Sequence, residues 1–168
     1  MNAIERTYPA PLRAIGVAVD WTIVLMGAVV ILLVFSNIVL HAFGRDIAWT
    51  TEVSELLMVW MTFLGGTAAG RRGEHVAITE LIDRLGSGAR YVVDILIQFV
   101  IVAVLGLLIW YGSGLVESAW NDHSPVLDWP MSFVYLAVPV SSVATLLFVL
   151  YDLVLIVRGE SRAERISE

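Results

Sequence analysis

Residues 49–72 read WTTEVSELLMVWMTFLGGTAAGRR, and whether this stretch crosses a bilayer decides between a three-span and a four-span chain. Its uninterrupted apolar part, Leu56 to Gly70, is 15 residues long. A helix rising ~1.5 Å per residue needs roughly 20 to cross a ~30 Å hydrocarbon core. A helix begun near Thr50 makes up the difference. It carries Glu52 and Glu55 in its first turns, where the helix dipole favours acids, with Thr50 or Thr51 as its cap and Trp49 at the level of an interfacial aromatic. The stretch predicts a full span with a polar entrance.

On either side the reading is simpler. Trp21 to Leu40, Ile95 to Val116 and Trp129 to Tyr151 contain no charged residue, and each is long enough to span. The 168 residues are 58% apolar with a mean hydropathy of +0.82, too hydrophobic for a soluble globular domain. The prediction is an all-α integral membrane protein, one domain over residues 1–168, with helices near 15–43, 50–70, 91–116 and 129–157. Arg6 and Arg13 precede an apolar run that is too long for a secretory signal and has no small-residue cleavage site, so it reads as a retained first helix. With no cysteine in the chain, disulfides, thiolate metal sites and cysteine nucleophiles are excluded. Nucleic acid is not an expected partner.

All ten basic residues are arginine, and they are unevenly placed. Arg6 and Arg13 precede the first helix. Arg71, Arg72, Arg84 and Arg90 lie between the second and third, and Arg158, Arg162 and Arg165 follow the fourth. Only Arg45 lies on the other side, so both termini and the middle loop are expected in the cytoplasm. Trp21, Tyr91 and Tyr151 fall at the inner interface, while Trp49, Trp110, Tyr111, Trp120 and Trp129 fall at the outer one. In the middle loop Ile78, Leu81, Ile82 and Leu85 recur at helical spacing before Gly86 and Gly88, which fits either a short helix on the membrane surface or a partly ordered loop.

The central turns of the spans carry no charge. Asp20, Asp94, Glu117 and Asp152 fall at predicted helix ends, within reach of water or headgroups, and only Asn37, Thr62, Gln98, Ser141 and Ser142 lie deeper. An ion-coupled carrier ordinarily keeps an ionisable group or a broken helix near the midplane. Neutral groups at that depth more often bond across helix interfaces, at ~0.6 kcal/mol each, so packing is expected here rather than transport. Pro139 beside Ser141 and Ser142 reads as a mild kink. Gly65, Gly66, Ala69 and Gly70 give the second helix a small-residue surface that another helix can approach closely, and spacing does not say whether that helix is internal or another chain's. His41, His75 and His123 lie at helix ends or in loops, poorly placed for a haem held between two helices. No nucleophile with a base, metal cluster or phosphate loop is present, so the chain is not expected to be an enzyme or to carry a cofactor.

The run from Gly44 to Leu85, GRDIAWTTEVSELLMVWMTFLGGTAAGRRGEHVAITELIDRL, resembles the small membrane subunit of tripartite ATP-independent periplasmic (TRAP) transporters, the DctQ type. Arg45, Trp49 and Glu52 match at the outer entrance, Trp60 and the FLGG of Phe63 to Gly66 within the helix, and Arg71, Gly73 and His75 at the inner exit. PVLDWPMSFVYLAVPVSS, Pro125 to Ser142, resembles the entry to the family's fourth helix, with Pro130, Tyr135 and Pro139 in order. Three positions depart: the family often has an acid at Thr51, an arginine at Glu55 and glycine at Ser141. The charge pattern of the entrance is therefore altered, and the family's ion pairs there do not carry over.

The resemblance implies a sodium-coupled importer of organic acids in which a periplasmic binding protein captures a carboxylate-bearing substrate and a large membrane subunit moves it. The substrate and sodium sites are then expected in that large (M-type) subunit, while the small one extends its fixed scaffold in the bacterial inner membrane. Candidates for contact with the partner are Arg45, Trp49, Glu52, Trp60, Gly65, Gly66 and Gly70. Arg71, Arg72 and His75 are candidates for headgroup contact at the cytoplasmic end, as basic residues beside any membrane helix are. Glu117, Asp122 and Asp128 are candidates for docking the binding protein, in a loop that also reads as solvated surface. Two other classes fit the composition: the membrane anchor of a respiratory enzyme and a small homo-oligomeric exporter.

Overall fold

The stretch that decides the number of spans is helical from Trp49 to Arg72, 24 residues, which is long enough to cross. The computed structural model describes residues 8–45, 47–72 and 87–157. In chain order the helices are α1 (Ala10–Ala42), α2 (Trp49–Arg72), α3 (Ser87–Ser118), a 3₁₀ turn (Ala119–Asn121), the single-turn α4 (Ser132–Tyr135) and α5 (Ala137–Val157). Four membrane spans result, since α4 and α5 run on as one. The described residues contain no strand, only an isolated bridge between His123 and Pro130 in the loop between α3 and α4, the outer loop in the orientation expected from the arginines. His75 and the possible surface helix near residues 78–85 lie outside the described residues.

The ends of the helices differ from the sequence reading, for local reasons. Helix α1 begins at Ala10, with Pro11 in its first turn, where a missing N–H costs nothing. It ends in a turn that reclaims its last carbonyls. Gly44 takes φ +71°, its N–H bonds to the His41 carbonyl at 2.9 Å, and the Arg45 N–H bonds to that of Leu40 at 3.0 Å. Thr50 does not cap α2. The helix starts one residue earlier, and the Thr50 hydroxyl donates back to the Ile47 carbonyl, while the Ile47 N–H bonds to Asn37 Oδ1 at 3.2 Å.

Helix α2 packs between α1 and α5, and α5 packs against α3. The apolar contacts are few. Val19, Leu64 and Ala68 form one buried cluster with Ile15, Ile23, Met26 and Trp60 around it. Tyr8 and Phe148 form another, ring edge to ring face at 5.3 Å, with Leu12, Ile15 and Tyr151 against them. That contact brings the start of α1 beside the last turns of α5, so both ends of the described chain lie on one side of the bundle. Trp21, Leu25, Ile31, Leu32 and Phe35 of α1 and Leu96, Phe99 and Leu107 of α3 point outward, as expected where the surroundings are acyl chains as apolar as the core.

Close backbone approach occurs at glycines that the sequence did not single out. A Cβ on Gly112 of α3 would stand 3.2 Å from both Pro139 Cδ and Val138 Cγ1 of α5. Gly65 and Gly66 meet nothing within 4 Å at the same position, so their surface is not used inside this chain. Proline in the first turn of α5 fits the close crossing, because its ring packs where an ordinary residue would present an N–H.

Candidate functional site

Three layers of polar contacts run down the bundle. At the outer end, the Glu52 carboxylate of α2 holds the loop between α3 and α4. Ser124 Oγ donates to Oε2 at 2.8 Å, the Val126 N–H to Oε1 at 2.8 Å and the Leu127 N–H to Oε2 at 2.9 Å. The loop is closed on itself by Ser124 N–H to the Trp129 carbonyl at 3.0 Å and Met131 N–H to that of Asp122 at 2.8 Å. Asp128, beside the clamped tip, takes φ 53°, a left-handed conformation in which aspartate is tolerated. Glu52, placed by sequence as a partner contact at the entrance, thus has its hydrogen bonds inside the chain. Glu117, Asp122 and Asp128 are exposed around this loop, and Arg45 and Trp49 are exposed at its side of the bundle.

In the middle, neutral groups tie helices together. Thr67 Oγ1 lies 2.8 Å from Thr145 Oγ1 and donates to the Ser141 carbonyl at 3.2 Å, joining α2 to α5. Gln98 Nε2 of α3 donates to the Val149 carbonyl of α5 at 2.7 Å, and Ser132 Oγ of α4 to the Val116 carbonyl of α3 at 2.8 Å. Trp60 joins the set, its Nε1 donating to the Phe133 carbonyl at 2.9 Å. Of the neutral groups expected to bond across helix interfaces, Gln98 does so by its side chain, whereas the Ser141 and Thr62 hydroxyls donate to carbonyls of their own helices, Ala137 and Met58, and Asn37 accepts from the Ile47 N–H. Thr67 and Thr145, the centre of the layer, carry no signal in the sequence beyond being threonines.

The inner end is charged. Arg71 of α2 is 2% exposed, and its Nη2 lies 2.5 Å from Asp20 Oδ2 of α1. Arg72 Nη2 stands 3.2 Å from the other oxygen, an ion pair without the alignment of a hydrogen bond. The Arg71 guanidinium also lies 6.0 Å from the centre of the Phe148 ring of α5, at the edge of cation–π range. Gly16 makes room for it: a Cβ there would meet Arg71 Nη1 at 2.5 Å. Asp152 of α5, 3% exposed, accepts from the Tyr8 hydroxyl at 3.4 Å. Three elements and the segment before α1 thus converge on one charged knot.

Two expectations are corrected here. Arg71 does not reach out to headgroups but is enclosed between helices, because a planar guanidinium can pair with Asp20 and lie near an aromatic ring at once. Arg72, its neighbour in sequence, remains exposed. Asp20 and Asp152 were expected to reach for water or headgroups; instead Asp152 is 3% exposed beside Tyr8, and Asp20, 28% exposed and ten residues inside α1, turns to the two arginines. His41 and His123 stand at the outer end of α1 and in the outer loop, and no group of three or more metal-binding side chains is found among the described residues.

The polar groups of the three layers fasten the four spans to one another and to their outer loop. Residues 30–159 match the family model for tripartite ATP-independent periplasmic transporters, DctQ component, and the chain belongs to that family. It is 27% identical over 152 residues to the ectoine TRAP transporter small permease protein TeaB of Halomonas elongata, covering 84% of this chain and 79% of that one. It is 33% identical over 101 residues to the C4-dicarboxylate TRAP transporter small permease protein DctQ of Rhodobacter capsulatus, covering 59% of this chain and 44% of that one. The isethionate TRAP transporter permease protein DctMQ of Oleidesulfovibrio alaskensis is 22% identical over 109 residues, which are 64% of this chain but 17% of that much longer one. The chain is accordingly a small permease subunit of a TRAP transporter, a transport component and not an enzyme.

Proposed function

We propose that this subunit braces a large membrane subunit of the M type, which moves an organic acid into the cell on a sodium gradient after a periplasmic protein has captured it. The observation that carries the reading is the set of neutral contacts between helices. Thr67, Thr145, Gln98 and Ser132 direct side-chain polar groups to neighbouring helices of the same chain, the Ser141 carbonyl accepts from Thr67, and none of these contacts involves an ionisable side chain. Such a bundle is built to be rigid, and the coupling site then belongs to the partner. A much longer relative that contains a segment like this one supports a neighbour in the same membrane, and relatives named for a C4-dicarboxylate and for ectoine support an acid-bearing solute. The arginine distribution supports an inner-membrane orientation with both termini cytoplasmic.

Affinity purification of the tagged chain from native membranes in mild detergent tests the reading. Recovery of a stoichiometric large polytopic protein is expected. Recovery of the chain alone, or with soluble redox subunits only, refutes it.

The outer loop is proposed to take part in docking the binding protein through Glu117, Asp122 and Asp128, all exposed around a backbone that Glu52 holds still. Reversing the three charges to lysine is expected to lower uptake severalfold at unchanged assembly in the membrane. Unchanged uptake would remove the docking role.

A further inference from the structure

Glu55 is an acid near the outer end of a membrane-spanning helix, exposed, and without a hydrogen bond or ion pair to any described residue. It is not isolated on the surface. Thr51, Glu55, Met58, Thr62 and Gly66 are all exposed, at intervals of three and four, so they form one line along α2. The line borders a groove of about 640 Å³ between α1 and α2, walled by Val34, Ile38 and Phe63. Further in, Gly65 and Gly66 leave the backbone open, with nothing within 4 Å of where a Cβ would stand. Of the four spans α2 is the least apolar. A charged and small-residue face of this kind is costly against acyl chains and well suited to another helix.

We infer that this face of α2 receives a helix of the large subunit, and that the helix carries a lysine or arginine opposite Glu55 and small or aliphatic side chains opposite Thr62 and Gly66. The inference rests on the subunit reading above and adds the face and the chemistry of its partner. Charge decides the occupant. A second copy of this chain meeting the same face sets α2 against α2, and residues 49–70 contain no lysine, arginine or histidine, so only Arg45 or His41 beyond the helix could answer Glu55, a case that adducts to a second copy would report. A lipid headgroup could meet Glu55 but would leave the glycine surface and Thr62, deeper in, against a tail that gains nothing from them. A basic side chain on a close-packed helix satisfies both ends of the line.

The chain has no cysteine, so single cysteines report contacts cleanly. Met58→Cys and Thr62→Cys, with Phe99→Cys and Leu107→Cys on the exposed face of α3 as controls, are made in the chain co-expressed with its large subunit. Each is labelled with a maleimide-benzophenone and irradiated in membranes. Adducts to the large subunit are expected from positions 58 and 62 and not from 99 or 107. Glu55→Lys is expected to lower recovery of the large subunit about tenfold or more, as like charges meet, while Glu55→Gln retains most of it. Adducts from 99 or 107 with 58 and 62 silent would overturn the inference while leaving the subunit reading intact. Adducts of 58 or 62 to a second copy or to lipid alone would overturn it too, as would undiminished recovery with Glu55→Lys. Failure of the unaltered chain to recover any large subunit would refute the parent reading instead.

Discussion

Arg71→Met is expected to destabilise the subunit by about 1 to 3 kcal/mol, less than the cost of breaking a fully buried ion pair because the Asp20 side chain is 28% exposed. The guanidinium is 2% exposed and pairs with Asp20 at 2.5 Å, so methionine keeps much of the packing but strips Asp20 of its closer cation. Arg72 cannot stand in, since it is 41% exposed and 3.2 Å away without hydrogen-bond alignment. Arg72→Met should accordingly cost under about 1 kcal/mol, as screened surface pairs do. Arg71→Lys should fall between, keeping the charge but losing the planar fork and the approach to Phe148. Asp20→Asn combined with Arg71→Met should recover part of the loss, because the carboxylate left without its partner is then gone. Thermal melting of the detergent-solubilised protein ranks the set. Equal losses for Arg71→Met and Arg72→Met would show that the enclosed pair has no special role.

Glu52→Ala is expected to free the outer loop while leaving the spans in place. The carboxylate accepts two backbone N–H groups and one hydroxyl from Ser124 to Leu127, and nothing else from α2 reaches those amides in the hydrogen-bond pattern. In hydrogen exchange, Val126 and Leu127 should lose the protection that Glu52 provides, whereas amides of α2 and α5 should not change. Glu52→Gln should give a partial effect, because its carbonyl accepts but its amide group presents hydrogens to a donor. Should the loop also dock the binding protein, uptake falls with Glu52→Ala even though none of the three outer acids has been altered. Retained protection at 126 and 127 would mean that the loop holds its own shape.

Hydropathy made the four spans legible, because length and the absence of charge are properties of each segment alone. Membership was legible too, from Trp49, Glu52 and the FLGG stretch in order. The knot at the inner end was not. Asp20 and Arg71 are 51 positions apart, and their meeting depends on the rotation of two helices, which no local pattern records. Glu52 was noticed, but for its place at a helix start; its actual donors are mostly backbone amides, and backbone leaves no mark in a sequence. The glycines divide in an instructive way. Gly65 and Gly66 were expected to offer a packing surface, yet inside the chain the close approaches belong to Gly16, against the Arg71 side chain, and Gly112, against Pro139 and Val138. Helix α1 was predicted to start near residue 15, whereas it starts at Ala10, and Leu12 and Ile15 of its first turns pack against the Tyr8 and Phe148 cluster.

Helix α2 is fastened at both of its ends and to different neighbours: Glu52 to the outer loop, Arg71 to α1. A rod pinned at one end swings, and a rod pinned at both carries load. A force applied along its open face cannot tilt or slide it without breaking one of the two fastenings, so it is passed to the whole bundle and from there to the surrounding lipid. In mechanical terms the subunit is a braced beam, and under the proposed role its worth to a moving neighbour would lie in how little it yields.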